Sequence, residues 1–164
     1  MFRRILPGIL TAAALLLDIA ILPVFTQSPY MPVFSLLTAL VMGLLLGRTS
    51  GLWHGLAAGL LMDILVGTPL GLQTFLYVGV GYLGGVFGRA FTRHPLTPLI
   101  AAAVSLTLYE IAVYVYMVFS TFSFGGGMIP TVLIHLVIQI AAAQAMYYLY
   151  DFLIKPSRSR FARR

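Results

Sequence analysis

Apolar residues run along this chain in six long stretches, and short polar or Gly/Pro-rich segments separate them. The stretches lie at about 5–25, 32–47, 51–66, 71–89, 96–119 and 129–154. Most of them approach the ~20 residues that a helix needs to cross the hydrocarbon core of a bilayer. The pattern therefore predicts an all-α membrane protein with six transmembrane helices in a compact bundle, forming a single domain over residues 1–164.

Composition also indicates that lipid is the main solvent of this chain. Of its 164 residues, 60% are hydrophobic and only 9% are charged, whereas an ordinary soluble domain carries about 25% charged residues. There is no cysteine, so disulfides, thiol catalysis and cysteine-ligated metal are excluded. Asp18 interrupts the first apolar stretch and no small-residue cleavage site follows it, so we expect a retained first helix and not a signal peptide.

The basic residues indicate an orientation in the membrane. The chain carries 10 of them and a net charge of +6. None of the 10 lies between the first and second stretches, between the third and fourth, or between the fifth and sixth. The positive-inside rule then places both termini and the other two connectors in the cytoplasm. The basic tail 155–164 serves as a topology anchor, with contact to anionic lipid or a cytoplasmic partner as the alternative. These charges lie between apolar stretches or at the chain ends and form no continuous basic surface, so they do not indicate nucleic-acid binding.

A ladder of glycines marks the third stretch. Gly51, Gly55 and Gly59 recur at four-residue spacing and precede Asp63. Small residues at this spacing let two helix backbones approach closely, so these three glycines are predicted to form a packing face. Further pairs, 43/47, 81/85 and 84/88, have the same spacing. The packing partner is either another helix of the bundle, a second copy or a partner protein.

Four ionisable residues lie at similar depths in the predicted helices: Asp18, Asp63, Glu110 and His135. At 1.5 Å per residue the three acids lie about 18–21 Å from the cytoplasmic ends of their helices. Charged groups in hydrocarbon are costly, and they mark places where a protein needs polarity. We therefore predict a buried polar cluster, made either of hydrogen bonds between helices or of acids at the edge of an outward-facing cavity.

Catalysis and metal binding have little support in the sequence. Leu60, Leu61 and Met62 precede Asp63, so the glycine-x-glycine-aspartate pattern of aspartyl intramembrane proteases is absent. No Ser–His pair has a spacing that suggests a catalytic dyad. No close pair such as H-x-x-x-H suggests a zinc site. We expect a protein that is not an enzyme and that needs no cofactor or metal.

The glycine segment resembles the rod shape-determining membrane protein MreD family. The similarity lies in G-L-x-x-G-L-L-x-D at 55–63, followed by P-L-G at 69–71. Chain length, six stretches and the absence of a soluble domain also match that family. The resemblance implies a non-enzymatic scaffold of the bacterial cell-elongation complex in the cytoplasmic membrane, which binds the bitopic protein MreC and supports rod shape and peptidoglycan synthesis.

The same resemblance implies further partners and one alternative function. MreB, RodA and its penicillin-binding transpeptidase are the other implied partners, and a homodimer is an open possibility. The family's architecture is similar to the six-helix substrate-binding subunits of energy-coupling-factor vitamin transporters, so vitamin capture is the alternative. Those subunits carry alanine-x-x-x-alanine in their first helix, and no alanine of the first stretch here has another alanine four positions later.

Overall fold

The computed structural model describes residues 2–21, 33–66, 71–90, 96–121 and 128–154, and the description below is confined to them. They form helices whose bounds are α1 (Phe2–Leu16), α2 (Phe34–Leu46), α3 (Arg48–Val66), α4 (Leu72–Ala90), α5 (Thr97–Thr121) and α6 (Met128–Ile154). A π-helical turn, Leu17–Ile21, continues α1. The all-α expectation is confirmed for this part of the chain.

Two helices of the described chain are long and apolar enough to cross a membrane. They are Thr97–Ser120 within α5 and Pro130–Ile154 within α6. The segments Leu6–Ala20 and Phe34–Leu46 are apolar but shorter. Helices α3 and α4 do not meet the same criterion, since they carry many glycines and several polar side chains. The six-span bundle therefore stays a prediction.

Helix α2 lies at the centre of the fold. It packs against α1, α3, α4, α5 and α6, and every residue from Ser35 to Gly43 is buried. A helix that is apolar on all sides is a helix enclosed by others, and the sequence of α2, FSLLTALVMGLLL, has this character. Its burial makes α2 the core around which the other helices are placed.

A single residue connects α2 to α3. Gly47 has a φ of +98°, a left-handed conformation that glycine adopts at little steric cost. Its N–H donates to Gly43 O at 2.9 Å, and Gly51 N–H donates to Gly47 O at 3.1 Å. The chain reverses within this one residue, and α3 begins at Arg48, three residues before the predicted third stretch.

Helix α4 packs into the angle between α2 and α3, and glycines allow both contacts. On one side, Cβ atoms built on Gly84 and Gly88 would collide with Leu40 O and Leu44 O of α2. On another side, Gly81 and Gly85 meet the backbone of α3 and of the Gly47 turn. Helices α2, α3 and α4 therefore form one tightly packed unit, against which α5 lies on α4 and α6 lies on α2.

Several features of the sequence analysis lie outside the described residues. They include the connectors 22–32, 67–70, 91–95 and 122–127 and the basic tail 155–164. Of the P-L-G element at 69–71, only Gly71 is described, and its φ of +103° lies immediately before α4.

Candidate functional site

The glycine ladder of α3 packs against the backbone of α4. A Cβ built on Gly51 would collide with Gly81 O, one on Gly55 would lie 2.5 Å from Tyr77 O, and one on Gly59 would lie 2.5 Å from the Cα of Thr74. Contacts nearer the C-terminus of α3 therefore meet residues nearer the N-terminus of α4, as in an antiparallel helix pair. Of the packing partners left open by the sequence, these contacts identify another helix of the same chain.

Asp63 lies at the end of this ladder and accepts hydrogen bonds from the first turn of α4. Its Oδ2 accepts from Gly71 N–H at 2.9 Å, Thr74 N–H at 3.0 Å and the Thr74 hydroxyl at 2.6 Å, and Oδ1 accepts from Gln73 N–H at 3.0 Å. The carboxyl is 1% exposed. The first N–H groups of a helix have no partner within it, and an acid there also interacts favourably with the helix dipole. Asp63 therefore caps α4 from the neighbouring helix.

Asp18 makes the equivalent contact with α2. It lies in the π-helical turn after α1, and its carboxyl accepts from Phe34 N–H at 2.8 Å and Ser35 N–H at 2.7 Å. The donors are again the first N–H groups of the following helix. Asp18 is half-buried, and two backbone bonds supply part of the solvation that it would find in water.

Glu110 pairs with His135 across α5 and α6. Glu110 Oε1 lies 2.8 Å from His135 Nδ1, and the same oxygen accepts from Gln139 Nε2 at 3.2 Å. Gln139 is completely buried and Glu110 is 6% exposed. Residues 135 and 139 are four positions apart, so they share one face of α6. A buried network of this kind joins two helices where lipid supplies no hydrogen-bond partners.

The structure thus brings Glu110 and His135 together, while Asp18 and Asp63 bond to the starts of α2 and α4. In the described ranges, no three His, Asp or Glu side chains gather closely enough to hold a metal ion. Asp18, Asp63 and Glu110 therefore each contact the helix that follows them along the chain.

Hydroxyl groups add polar contacts that the sequence analysis did not identify. The Tyr77 hydroxyl lies 3.4 Å from Ser35 Oγ, and the Tyr150 hydroxyl lies 3.2 Å from Thr38 Oγ1. The rings of Tyr77 and Tyr109 meet edge to face at a centroid distance of 6.3 Å. Ser35 and Thr38 lie three residues apart on the apolar helix α2, and that spacing was the signal from which a polar stripe could have been predicted.

Gln139 and Thr74 are the other polar residues that the sequence analysis missed. Gln139 follows His135 by four residues, and Thr74 follows Gly71 by three at the start of α4. The first spacing places Gln139 near the ionisable His135, whereas Thr74 lies 11 residues from Asp63 and no spacing along the helix links the two. Only the pairing of α3 with α4 and of α5 with α6 shows that these side chains meet the acids.

An open cleft of about 230 Å³ lies between α5 and α6, next to the Glu110–His135 pair. Its walls are apolar. The lining residues are Thr107, Glu110, Ile111, Tyr114, Val132, Leu133 and Leu136.

A comparison with known protein families gives one match across almost the whole chain. A sequence model described as rod shape-determining protein MreD matches residues 2–154. No curated protein and no solved structure matches the chain. The matched residues contain all the helices described above, the glycine ladder and the buried acids. The chain therefore belongs to the rod shape-determining protein MreD family.

Proposed function

We propose that this protein is a non-enzymatic membrane scaffold of the bacterial cell-elongation complex, which binds MreC and thereby supports rod shape and peptidoglycan synthesis. The observation that carries the proposal is the family match over residues 2–154. Membership of the family gives the chain a role in rod shape determination and in the membrane. MreB, RodA and its penicillin-binding transpeptidase are proposed as further members of the same assembly.

The roles of the buried acids support a scaffold. Asp18 and Asp63 are engaged by the backbone of α2 and α4, and Glu110 is engaged by His135 and Gln139. Catalytic acids need access to a substrate and to a proton acceptor, whereas these contacts hold one helix against the next. The three acids act as connectors between helices in this proposal.

We propose that the chain crosses the cytoplasmic membrane six times, with both termini in the cytoplasm. Helices α5 and α6 have the length and apolarity to span it. Two described basic residues, Arg48 and Arg89, lie at the start of α3 and at the end of α4. In an up-and-down bundle these two positions are at the same end, as the positive-inside rule requires.

Depletion and affinity purification together test the proposed function. In a rod-shaped host, we expect loss of this protein to round the cells, and we expect MreC to co-purify with it from native membranes. Persistence of rods after depletion, or absence of MreC from the purified material, would count against the scaffold. A vitamin that remains bound through purification and stabilises the protein at micromolar concentration would favour the transporter alternative.

A further inference from the structure

We propose that this chain binds one anionic phospholipid on the exposed face of α4, with the lipid phosphate at Arg48 and Tyr82 and an acyl chain in a cleft between α4 and α5. The site is built from this chain alone and lies apart from the buried acids, so the inference goes beyond the proposed scaffold. The proposed topology enters only in naming the leaflet, which is the cytoplasmic one.

The exposed face of α4 is a row of residues that the other helices do not cover. Phe75, Gly79, Tyr82 and Arg89 are all exposed, and their spacings of four, three and seven residues place them on one side of the helix. Arg89 lies in the last turn of α4, at the end that the proposed topology places in the cytoplasm. A positive charge therefore ends a row that is otherwise apolar or aromatic.

Tyr82 holds the Arg48 side chain against this face. The guanidinium carbon of Arg48 lies 5.9 Å from the centre of the Tyr82 ring, a distance at which a cation and an aromatic face attract each other. Glycine brings the two helices together here, because a Cβ on Gly85 would collide with the backbone of Arg48. Tyr82 lies about 10 Å from Arg89 along the helix axis, at 1.5 Å per residue. The guanidinium is therefore held at a level inside the end of α4.

The positive charge of Arg48 is not neutralised by any acid of the described residues. None of them forms an ion pair with Arg48, and Asp18, Asp63 and Glu110 are engaged by other helices. Arg48 itself is partly exposed, and of its three guanidinium nitrogens only Nε is shielded from solvent without a partner. The two terminal amino groups are therefore open to an anion. A phosphate group supplies the charge and the paired oxygens to which a guanidinium bonds most strongly.

An apolar cleft of about 100 Å³ lies between α4 and α5, next to Tyr82 on the side away from Arg89. Leu83, Gly79 and Phe75 line it from α4, and Leu108 lines it from α5. It opens to the surroundings at Phe75, which is 76% exposed, and at Gly79, where an added Cβ would meet no described atom within 4 Å. Such a cleft suits a hydrocarbon chain, which is stabilised by apolar contact and needs no hydrogen bond.

The order of these two features along α4 favours a phospholipid over other anions. The cation lies toward the cytoplasmic end and the apolar cleft lies deeper, which is the order of headgroup and acyl chain in the cytoplasmic leaflet. A free anion would occupy only the Arg48 end, and a lipid without net charge would gain less from the two arginines. Basic pockets between transmembrane helices on the cytoplasmic side are a recurrent binding site of anionic headgroups.

Native mass spectrometry of the full-length protein measures the binding. The protein is released from nanodiscs that contain phosphatidylglycerol and phosphatidylcholine in equal amounts, with no other protein present. We expect phosphatidylglycerol to stay bound in preference to phosphatidylcholine. Equal retention of the two lipids, or binding of inorganic phosphate by a protein that retains neither lipid, would overturn the proposal.

Substitutions at the headgroup end test the cation and the ring separately. We expect Arg48→Gln to weaken phosphatidylglycerol binding about fivefold, the effect of one basic residue near a membrane surface. We expect Tyr82→Leu to weaken it about two- to fivefold and Tyr82→Phe to leave it unchanged, because the ring and not the hydroxyl contacts the guanidinium. Arg158→Gln, which removes one charge from the basic tail, is the charge-matched control. An equal loss in Arg158→Gln would show that net charge alone attracts the lipid, and the site would be wrong.

A substitution in the cleft tests the acyl-chain end. We expect Gly79→Trp, whose indole fills the cleft, to lower the phosphatidylglycerol that stays bound. Leu60→Trp, on the exposed side of α3, is the matched control and is expected to retain it. If Arg48→Gln does not fold, the comparison of Tyr82→Leu with Tyr82→Phe and the result for Gly79→Trp decide the question, and unchanged lipid retention in both Tyr82→Leu and Gly79→Trp would overturn the proposal.

The outcomes separate this inference from the proposed function, because MreC takes no part in the lipid measurements. If lipid retention does not depend on Arg48, Tyr82 or Gly79, the lipid site is wrong and the scaffold is unaffected. If MreC does not co-purify with the unmodified protein, the scaffold fails while the lipid site stands.

Discussion

At the scale of single residues, position decides what a glycine contributes. Gly55 and Gly79 both lie within helices, but Gly55 faces the backbone of α4 whereas a Cβ on Gly79 would meet no described atom within 4 Å. Gly55 is needed because two backbones touch there. Gly79 only destabilises its helix, by about 0.5–1 kcal/mol relative to alanine.

This contrast gives a matched pair of substitutions. We expect Gly55→Ala and Gly59→Ala to lower the free energy of unfolding by about 1–3 kcal/mol, because each added methyl meets backbone that cannot move aside cheaply. Gly79→Ala is expected to be neutral or slightly stabilising. Thermal or denaturant unfolding of the purified protein in detergent measures the difference.

Larger side chains extend the same comparison within α3. We expect Gly55→Leu or Gly59→Leu to abolish assembly of the helix bundle. Leu60 and Leu61 are exposed on the outer side of the helix, so we expect Leu60→Phe or Leu61→Phe to be tolerated. Equal tolerance at all four positions would contradict the packing role of the ladder.

Asp63 shows that a carboxyl can be buried where enough hydrogen-bond donors surround it. Three backbone N–H groups and the Thr74 hydroxyl donate to it, whereas Asp18 accepts from two backbone N–H groups and the Ser35 side chain. In Asp63→Asn, an NH₂ group replaces one acceptor and faces a backbone N–H. We expect a loss of about 1–3 kcal/mol in unfolding free energy, the cost of leaving a buried polar group unsatisfied.

The matched variant Asp18→Asn is expected to cost less, because fewer donors are disturbed there and Asp18 is only half-buried. Unfolding of both variants under the same conditions gives the ranking. An Asp63→Asn protein as stable as the unmodified one would show that the negative charge is dispensable at this site.

At the scale of helices, α2 is the element whose packing matters most. Leu37 is completely buried between its neighbours, whereas Leu46, on the same helix, is 44% exposed. We expect Leu37→Ala to lower the free energy of unfolding by about 2–5 kcal/mol, because it leaves a cavity that the surrounding helices cannot close. Leu46→Ala is expected to change it by less than about 1 kcal/mol. Unfolding in one detergent measures both, and equal losses would contradict the central position of α2.

The six helices also differ in how much lipid they can contact. Most of the length of α5 and α6 is unburied within the chain and apolar, while α2 is enclosed by its neighbours. Outer helices of this kind are the ones that a membrane partner can reach.

At the scale of the whole molecule, three acids connect consecutive helices along the chain, namely α1 to α2, α3 to α4 and α5 to α6. Asp18 of the turn after α1 bonds to α2, Asp63 of α3 bonds to α4, and Glu110 of α5 pairs with His135 of α6. Each pair is therefore connected by a polar contact whose loss would leave a charge in an apolar environment. Three of the chain's four acids therefore take part in contacts between consecutive helices.

The proposed six-span topology is testable because the chain has no native cysteine. We expect single cysteines at Ser28, Thr68 and Ser123 to react with a membrane-impermeant thiol reagent in intact cells whose outer surface is accessible. Cysteines at Thr49 and Thr92 are expected to react only after the membrane is permeabilised, because the basic connectors face the cytoplasm. Labelling of either cytoplasmic position in intact cells would contradict six spans.

Much of the helical architecture was predictable from the sequence, because apolar runs and their Gly/Pro breakers determine where helices begin and end. The polar residues Arg48, Thr49 and Ser50 indicated a connector before the third stretch, whereas the helix that contains this stretch already begins at Arg48, directly after Gly47. The family resemblance drawn from residues 55–71 was confirmed by a match to residues 2–154. The pairing of Glu110 with Gln139 was not predictable, because it depends on how α5 rotates against α6.

What the sequence by itself determined is the list of elements and of residues that need an explanation: six apolar stretches, a glycine ladder, and the acids Asp18, Asp63 and Glu110 among the apolar residues. Each follows from local physics, namely helix length, side-chain volume and the cost of charge in lipid. The tertiary structure decided what these residues contact. The ladder lies against α4, Asp63 and Asp18 cap helices, and Glu110 lies beside an open cleft. Spacing along one helix indicates which residues share a face, but only the packing of several helices determines what that face meets.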